Sequence, residues 1–469
     1  MVLASLIAAA ALATAPADEA AFRETYRTLV ETDTTLAHGD CTLAAARMAE
    51  VLVKAGFDPA QVIPFADPDH PKEGGLVAVW PGRNPALKAL LLLAHIDVVE
   101  ARPADWARDP FVLVEAGGYF HARGAFDDKA QAAIWVDAMA RMARDRAHPR
   151  RTVKLALTCG EETNGAFNGA QWLAQNRRDL IDAGFALNEG GGGRTDGHAI
   201  AAGGRVVAQT VQIGEKTFAN FALETHNRGG HSSAPRPDNA IYQLAHALDR
   251  IETHRFAVEF TPVTRDYFRT VGLARGDALG RAMVVLSDPA TQPDTPAWND
   301  ALWQVDTDAA LRANTRTTCV ATLIEGGHAA NALPQRARAT VNCRIMPGHT
   351  IADIGHLLET VIGDPEVAVT PLAPARPAPP PPPLDPAVIA PMRASLARHF
   401  PGVALVPAMN NGYTDATFLT AAGIPTYGVP GLWGDPDGNG VHGLDERIEV
   451  RSLLTGRAFL DDLIRAYAF

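Results

Sequence analysis

Three apolar segments, separated by stretches of helical spacing, constrain the fold more than any other feature of this sequence. Residues 86–99, "ALKALLLLAHIDVV", form a nearly continuous apolar run, as expected of a strand that is covered on both faces. Further buried strands are predicted at 151–162 and 185–193, and helices at 128–145 and 168–184. This alternation predicts an α/β fold with a mostly parallel sheet flanked by helices.

The pattern changes near Thr217, where a second, α+β unit is predicted. Residues 218–235 alternate like an antiparallel strand, and 317–348 have the pattern of two strands around a loop. The Pro-rich segment 373–386 cannot hold regular helix or sheet, so it is interpreted as a stiff connector back into the first domain. The chain of 469 residues is also too long for one ordinary core. The predicted boundaries are 1–17 for a signal peptide, 18–216 and 373–469 for a first domain in two parts, and 217–372 for an inserted lid domain.

The N-terminal segment and the net charge bear on location and partners. The apolar start is too short to span a bilayer, and Ala15-Pro16-Ala17 forms an A-x-A cleavage site before Asp18. This predicts a secreted or periplasmic protein; an Ala-rich chain start and a short membrane tether are the alternatives. The formal net charge of −11 argues against a nucleic-acid or anionic-membrane partner, since both need a basic face.

Histidine and carboxylate side chains stand at the ends of the predicted strands. Ligands in open α/β sheets bind beyond the carboxyl ends of the strands, so these side chains are expected to lie close together. Imidazole and carboxylate are ligands that zinc prefers, and the sequence therefore indicates a zinc site. The residues in question are His95, Asp97, Asp127, Asp128, Glu161, Glu162, Glu189 and His442.

Two spacings sharpen this prediction. His95 and Asp97 lie two apart and point to the same side of an extended chain, so Asp97 can accept a hydrogen bond from the second ring nitrogen of a metal-bound His95. Glu161 and Glu162 are adjacent like charges, which nearby zinc ions would make tolerable, with one binding metal and the other handling protons. Each feature alone has an ordinary explanation, such as a solvated strand end or a helix cap.

The sequence resembles the di-zinc peptidase and aminoacylase family that includes glutamate carboxypeptidase, carboxypeptidase S, succinyl-diaminopimelate desuccinylase and carnosinase. The matching stretches lie in the family's order and cover nearly the whole mature chain. They are "LLLAHIDVV", "ARGAFDDKA", "TCGEETNG", "LNEGG", "RGGHSSAP", "GGHAANALPQRARATVNCRIMPG", "NGYTDATFL" and "GVHGLDER". The resemblance implies a di-zinc hydrolase domain with an inserted lid that also serves for dimerisation in some members.

The resemblance implies two zinc ions per chain and assigns their ligands. One zinc would be held by His95, Asp127 and Glu189. The other would be held by Asp127, Glu162 and His442, so that Asp127 bridges the two ions.

The resemblance also assigns the proton chemistry. Glu161 would be the general base and acid for a metal-activated water, and Asp97 would orient His95. The family's bridging aspartate is followed by a cis peptide bond, which makes the Asp127-Asp128 bond a candidate for that geometry.

Three residues of the lid match substrate-binding positions. His231 would polarise the scissile carbonyl, and in some dimeric members this histidine comes from the partner subunit. Asn331 matches a substrate contact, and Arg344 matches the residue that grips the substrate carboxylate, for which a guanidinium fork is well suited. The resemblance thus leaves open a homodimer formed through the lid.

Some positions depart from the commoner family pattern. Ala130 stands where glycine is usual, and Asn342 where aspartate is frequent. Leu444-Asp445-Glu446 replaces the usual Pro-Asn-Glu after the last histidine. None of these departures removes a proposed ligand, but they leave the subfamily and the substrate open.

Two substrate classes therefore remain. The main hypothesis is a carboxypeptidase or dipeptidase that cleaves the bond next to a C-terminal amino acid. The alternative is an amidohydrolase of the same chemistry that acts on N-acyl amino acids. A non-catalytic binding homologue is a minor alternative, because Asp97, Glu161 and all five ligands are intact.

The four cysteines show no metal-type spacing. Cys159 lies in an apolar run and is interpreted as a small core residue. Cys319 and Cys343 lie on two strands of a predicted hairpin, and a symmetric register would place them opposite each other and Ile324 opposite Arg338. A disulfide there, or two half-buried thiols, are the alternatives.

Overall fold

The computed structural model describes residues 17–163, 167–373, 377–429 and 431–469. The predicted signal peptide lies outside these ranges, apart from Ala17, where the first helix begins. The helices have these bounds: α1 Ala17–Val30, α2 Cys41–Ala55, α3 Lys129–Arg144, α4 Gly169–Asn176, α5 Arg178–Ile181, α6 Ala240–Thr253, α7 Pro262–Arg275, α8 Ala278–Ser287, α9 Pro296–Asp306, α10 Ala309–Asn314, α11 Ile351–Ile362, α12 Pro386–His399, α13 Ala416–Ala421 and α14 Val450–Ala468. The strands have these bounds: β1 Val62–Asp67, β2 His70–Trp80, β3 Leu90–His95, β4 Val114–Ala116, β5 Tyr119–His121, β6 Val153–Thr158, β7 Phe185–Asn188, β8 Gly192–Thr195, β9 Val206–Glu215, β10 Thr217–His226, β11 Gly230–His231, β12 Thr318–Gly326, β13 Ala332–Leu333, β14 Arg336–Ile345, β15 Ala368–Pro371, β16 Ala404–Asn410, β17 Thr426–Gly428 and β18 Arg447–Glu449.

The central sheet has nine strands, in the order β1-β2-β6-β3-β7-β17-β9-β16, with β8 paired to β9. Its middle strands β6, β3, β7 and β17 run parallel, whereas β1 and β2 join antiparallel at one edge. All six residues of β3 are buried, as expected of a strand with helices on both faces. The predicted α/β class with a mostly parallel sheet is confirmed.

Helix α3 is the most deeply buried helix next to this sheet. Nearly all of its residues are buried, and the indole of Trp135 donates a hydrogen bond to the Leu93 carbonyl of β3. This packing fixes the start of α3, and therefore the preceding Asp127 and Asp128, relative to the end of β3. The peptide bond between Asp127 and Asp128 is cis, as the resemblance implied.

A second sheet has four strands, in the order β12-β14-β10-β15. Strand β9 ends in the central sheet at Glu215, and β10 begins in the second sheet at Thr217. Buried residues of this sheet, such as Phe221 and Val341, pack with Leu244 of α6 and Leu358 of α11 in a separate hydrophobic cluster.

Helices α7, α8 and α9 lie within the predicted lid range but pack elsewhere. Their buried residues Phe268, Met283 and Val305 share a cluster with Ala208 of β9 and Val406 of β16. The 217–372 range therefore contributes to two hydrophobic cores, and the division of the chain into domains stays a prediction. No helix in the described ranges is long and apolar enough to cross a membrane.

The cysteines differ in part from expectation. Cys159 lies in the core, as predicted, but it also forms a disulfide with Cys41 at the start of α2. Cys319 and Cys343 are directly opposed and form a second disulfide. The symmetric register is wrong beyond Ala321, since an irregularity before Leu323 shifts the pairing and places Ile324 opposite Ala339 rather than Arg338.

Candidate metal centre

The candidate metal centre is built at the carboxyl ends of three parallel strands. His95 is the last residue of β3, Glu161 and Glu162 follow β6 in a turn, and Glu189 directly follows β7. The pairing of His95 with Thr158 aligns the ends of β3 and β6. Strand topology alone thus brings these side chains to one edge of the sheet.

Asp127 lies between the two imidazoles of the centre. Its Oδ1 is 3.2 Å from Nε2 of His95, and its Oδ2 is 3.2 Å from Nε2 of His442. The same His442 nitrogen is 2.9 Å from Oε1 of Glu162, and Glu189 Oε1 is 3.9 Å from the His95 nitrogen. One carboxylate thus faces a different histidine with each oxygen, which is the arrangement a bridging ligand requires.

Two groups of these side chains have ligand atoms within 4.8 Å of one another. One group is His95, Asp127 and Glu162, and the other is His95, Glu161 and Glu189. Glu161 therefore lies close enough to be a ligand itself, although the resemblance gives it the proton-transfer role. How the ligands divide between two ions, and the role of Glu161, stay predictions.

The crowding of carboxylates shapes the protonation of the centre. Burial raises the pKa of Glu161 well above its ordinary value, and the neighbouring Glu189 raises it further. Hydrogen bonds to Asp127 and Glu162 raise the pKa of His442 to about 10. Burial opposes the charging of His95, but its hydrogen bonds to Asp127 and Asp97 hold its pKa well above the ordinary value. The centre thus attracts positive charge.

One carboxylate oxygen of the centre has no hydrogen-bond donor in the part of the chain that the structure describes, which also favours a bound cation. Oε1 of Glu189 is buried and accepts no hydrogen bond from the part of the chain that the structure describes. A buried carboxylate oxygen without a donor is costly unless a cation is its partner. With imidazole nitrogens and carboxylate oxygens alone around it, the centre suits zinc or a similar divalent metal.

Asp97 holds the Glu161-Glu162 turn more closely than it holds His95. Its Oδ1 and Oδ2 accept the backbone N–H groups of Glu161 and Glu162 at 3.3 and 3.0 Å. Nδ1 of His95 lies 3.6 Å from the Asp97 carboxylate and 3.1 Å from the Asp97 backbone carbonyl. The predicted orientation of His95 by Asp97 therefore runs mainly through the backbone carbonyl.

Glu446 supports the centre, and the sequence analysis assigned it no role. Its carboxylate accepts hydrogen bonds from the Arg123 guanidinium and from the backbone N–H groups of Gly124, Phe126 and Asp127, at 2.8 to 3.0 Å. It ties the loop after His442 to the loop that ends in Asp127. The signal in the sequence was its place in "GVHGLDER", where Glu446 is the residue that keeps to the family pattern.

Of the three residues predicted for the lid, His231 and Asn331 are neighbours, whereas Arg344 lies in a different strand. His231 is in β11, which pairs with β13, and Ser232 N–H donates to the Asn331 carbonyl. Arg344 is in β14, with its guanidinium 4.7 Å from the ring centroid of Phe218. Among the described residues, the hydrogen bonds of the His231 ring are made with Ser233. Their substrate-binding roles stay predictions.

Comparisons with known proteins place the chain in a family. Residues 91–466 match Peptidase family M20/M25/M40. The human N-fatty-acyl-amino acid synthase/hydrolase PM20D1 is 28% identical over 400 residues, which cover 82% of this chain and 75% of that protein. The probable carboxypeptidase S-like 2 of Dictyostelium discoideum is 27% identical over 382 residues, covering 80% of this chain and 71% of that protein.

A solved structure shows the same fold. The M20 family metallo-carboxypeptidase Sso-CP2 of Sulfolobus solfataricus superposes with a TM-score of 0.68 at 18% identity, covering 95% of this chain and 99% of the other. The family match extends from the strand that carries His95 into the final helix α14. The chain is therefore an enzyme, a metallohydrolase that belongs to Peptidase family M20/M25/M40.

Proposed function

We propose that this enzyme is a di-zinc hydrolase that cleaves the amide bond next to a C-terminal amino acid. The observation that carries the proposal is the position of Asp127, whose two oxygens face His95 and His442 at 3.2 Å each. His95, Asp127 and Glu189 would hold one zinc, and Asp127, Glu162 and His442 the other. When bound, zinc acidifies water and polarises carbonyl oxygens.

The protein's own residues supply proton transfer and orientation. Glu161 lies in the buried turn after β6 and takes the proton of the attacking water, then delivers it to the nitrogen of the leaving amine. Asp97 fixes the backbone of this turn through both of its carboxylate oxygens. His231 would polarise the scissile carbonyl, Asn331 would contact the substrate, and Arg344 would bind its free carboxylate.

The test is a substrate panel with zinc-loaded protein. Dipeptides, longer peptides and N-acyl amino acids would be compared with the same compounds amidated at the C-terminus. Hydrolysis of the free acids, weak hydrolysis of the amides, and a raised KM for the free acids in Arg344→Ala are expected. Equal rates on free acids and amides would overturn the proposed recognition of a terminal carboxylate.

A second candidate function is hydrolysis of N-acyl amino acids. It is favoured by the 28% identity over 82% of the chain to a protein described as an N-fatty-acyl-amino acid synthase/hydrolase. Both candidates share the bond type and the terminal carboxylate, and they differ in the group on the amine side. The ratio of kcat/KM between acyl and aminoacyl compounds in the panel decides between them.

We propose further that the enzyme forms a homodimer through the second sheet. Strand β12 is at the edge of that sheet, and its Val320, Leu323 and Ile324 are 60 to 68% exposed. Ile241 and Tyr242 on the adjoining α6 are exposed as well. An unprotected apolar edge strand is a common pairing surface. Light scattering of the wild type and of Ile324→Glu would test this, since the variant should be monomeric.

Export to an oxidising compartment is also a proposal. The predicted signal peptide and the two disulfides support it, because structural disulfides persist mainly outside the cytosol. Cell fractionation followed by N-terminal sequencing would test the location, and cleavage after Ala17 is expected. A full-length chain in the cytoplasmic fraction would contradict it.

A further inference from the structure

Asp415 occupies the N-cap position of α13, but its side chain binds residues of other elements instead of capping the helix. It directly precedes α13, and its carboxylate makes no capping hydrogen bond to that helix. The residue is 1% exposed, and its two oxygens accept hydrogen bonds from the Thr158 hydroxyl at 2.8 Å and from the Asn168 amide at 2.7 Å. The "NGYTDATFL" stretch thus reaches across to the end of β6.

Asn168 connects Asp415 to the Glu161-Glu162 turn. Its amide group also donates to the Gly160 carbonyl at 3.2 Å, while its oxygen accepts the Gln171 N–H and caps α4. A flipped amide would point its oxygen at the Asp415 carboxylate, so Asp415 selects the orientation that serves both contacts. Gly160 directly precedes Glu161.

The turn itself leaves little freedom at Gly160. This glycine has φ +92°, and a Cβ there would lie 1.9 Å from the Phe167 carbonyl oxygen. The backbone N–H groups of Glu161 and Glu162 donate hydrogen bonds to the Asp97 carboxylate. The turn is therefore held at two places. Asp97 binds its N–H groups, and Asp415 supports the residues just before it through Asn168 and Thr158.

We propose that Asp415 is a positioning residue that fixes the Glu161-Glu162 turn against the metal centre. This inference rests on the proposed function and deepens it, because it names what holds the proton-transfer group in place. Catalytic groups must be held within about 0.5 Å of the productive geometry, so their supports affect turnover more than substrate binding. Asp415 contacts neither the five proposed metal ligands nor Glu161 by any described hydrogen bond.

Asp415→Asn tests the proposal with almost no change of shape. An amide has a single acceptor oxygen, so if it accepts from Thr158 it must turn an N–H group towards the Asn168 amide. We expect kcat to fall about 10–100-fold with KM within about threefold, because the turn is misplaced while the substrate pocket is not. Metal analysis should still find the wild-type content.

Hydrogen exchange gives a readout that needs neither metal nor substrate. In metal-free Asp415→Asn, the amides of Glu161 and Glu162 should exchange about tenfold faster, because the turn opens locally more often. This measurement stands even if the substrate panel finds no amide hydrolysis, so failure of the inference and failure of the proposed function are distinguishable.

Asp137→Asn is the matched control. Asp137, in the middle of α3, is also a buried carboxylate, at 2% exposure, and it pairs with Arg141 of the same helix and Arg457 of α14. Its variant should lose thermal stability but keep kcat and turn exchange within about twofold of wild type, because local contacts that do not touch the turn act independently of it.

Asn168→Ser is the second variant, to be used if Asp415→Asn does not fold. Serine still caps α4 but cannot reach both Asp415 and Gly160. It should speed exchange in the turn and lower kcat in the same way. Wild-type exchange and kcat in a folded Asp415→Asn or Asn168→Ser, or an equal loss of kcat in Asp137→Asn, would overturn the proposal.

Discussion

Glu161 differs from its neighbour Glu162 in the partners of its carboxylate. Glu162 has an imidazole, that of His442, at 2.9 Å, whereas the surroundings of Glu161 are dominated by burial and by the charge of Glu189. Burial and a like charge both raise the pKa of a carboxylic acid, which suits a group that must take and return a proton near neutral pH. The adjacent pair is therefore two residues with separate environments rather than a solvated strand end.

Glu161→Gln is expected to keep the metal content of the wild type and to lose about 10²–10⁴-fold in kcat, because the proposed proton shuttle is removed. Glu115→Gln, on the exposed ion pair with Arg23, is the control and should keep full activity. Metal analysis with steady-state kinetics measures both. A variant with reduced metal content would instead make Glu161 a ligand, as its proximity to His95 and Glu189 allows.

The histidines predict a pH dependence for metal uptake. Hydrogen bonds to Asp127 and Glu162 raise the pKa of His442 to about 10 in the metal-free protein. In that protein the charged His442 stabilises the fold fully below its unfolded pKa of about 6.5, and the contribution is lost as pH rises through about 10.

Zinc needs the neutral imidazole, so metal binding at pH 8 should release protons, and affinity should rise with pH towards about 10. Calorimetric titration in two buffers of different ionisation heat measures the protons released. Identical apparent heats in the two buffers would contradict the raised pKa.

At the scale of elements, the loop that carries Asp127 and the loop that carries His442 are joined by contacts between the loops themselves rather than by strand pairing. Glu446 lies just before β18, and it binds the loop 123–127 ahead of α3, more than 300 residues earlier in the chain. The Arg123–Glu446 pair is almost fully buried, with side-chain exposures of 3% and 1%. The positions of Asp127 and His442 are thus fixed relative to each other.

Glu446→Gln should lower both stability and metal affinity. Removing one partner of a buried ion pair costs about 3–5 kcal/mol, since the Arg123 charge remains without compensation. Glu325→Gln, on an exposed pair with Arg336, is the control and should cost less than about 1 kcal/mol. Urea unfolding and competitive zinc titration measure the two effects. A drop in stability with unchanged zinc affinity would separate Glu446 from the metal centre.

The sequence predicts those elements whose residue pattern alone determines them, and it does not predict features that depend on packing between distant parts of the chain. The strand β3 and the helix α3 were predictable because burial on every side leaves a continuous apolar run or a clear helical spacing. The break between α4 and α5 at Arg177 and the shifted register before Leu323 were not, because packing and not local pattern causes them. The ends of the strands indicated the proposed ligands in the same way. The "GVHGLDER" stretch drew attention to Glu446, but the sequence did not show that Glu446 binds the loop before Asp127.

At the scale of the whole molecule, each disulfide lies in a different hydrophobic core. Cys41 and Cys159 are in the core of the central sheet, where they join the start of α2 to the residue after β6. Cys343 is in the core of the second sheet, and Cys319 packs against it. The first disulfide ends two residues before Glu161, whereas the second joins the neighbouring strands β12 and β14.

The two disulfides should therefore differ in their effects on stability and activity. They span 118 and 24 residues, and the chain-entropy relation makes the longer loop worth about 1.4 kcal/mol more. Cys41→Ala/Cys159→Ala should lose about 2–5 kcal/mol of unfolding free energy and also lower kcat, because the tether beside the catalytic turn is gone. Cys319→Ala/Cys343→Ala should lose less, with kcat within about twofold of wild type, since β12 and β14 remain paired. Urea unfolding without reductant, together with kinetics, measures both, and the reverse ranking would show that strain or residual unfolded structure outweighs loop length.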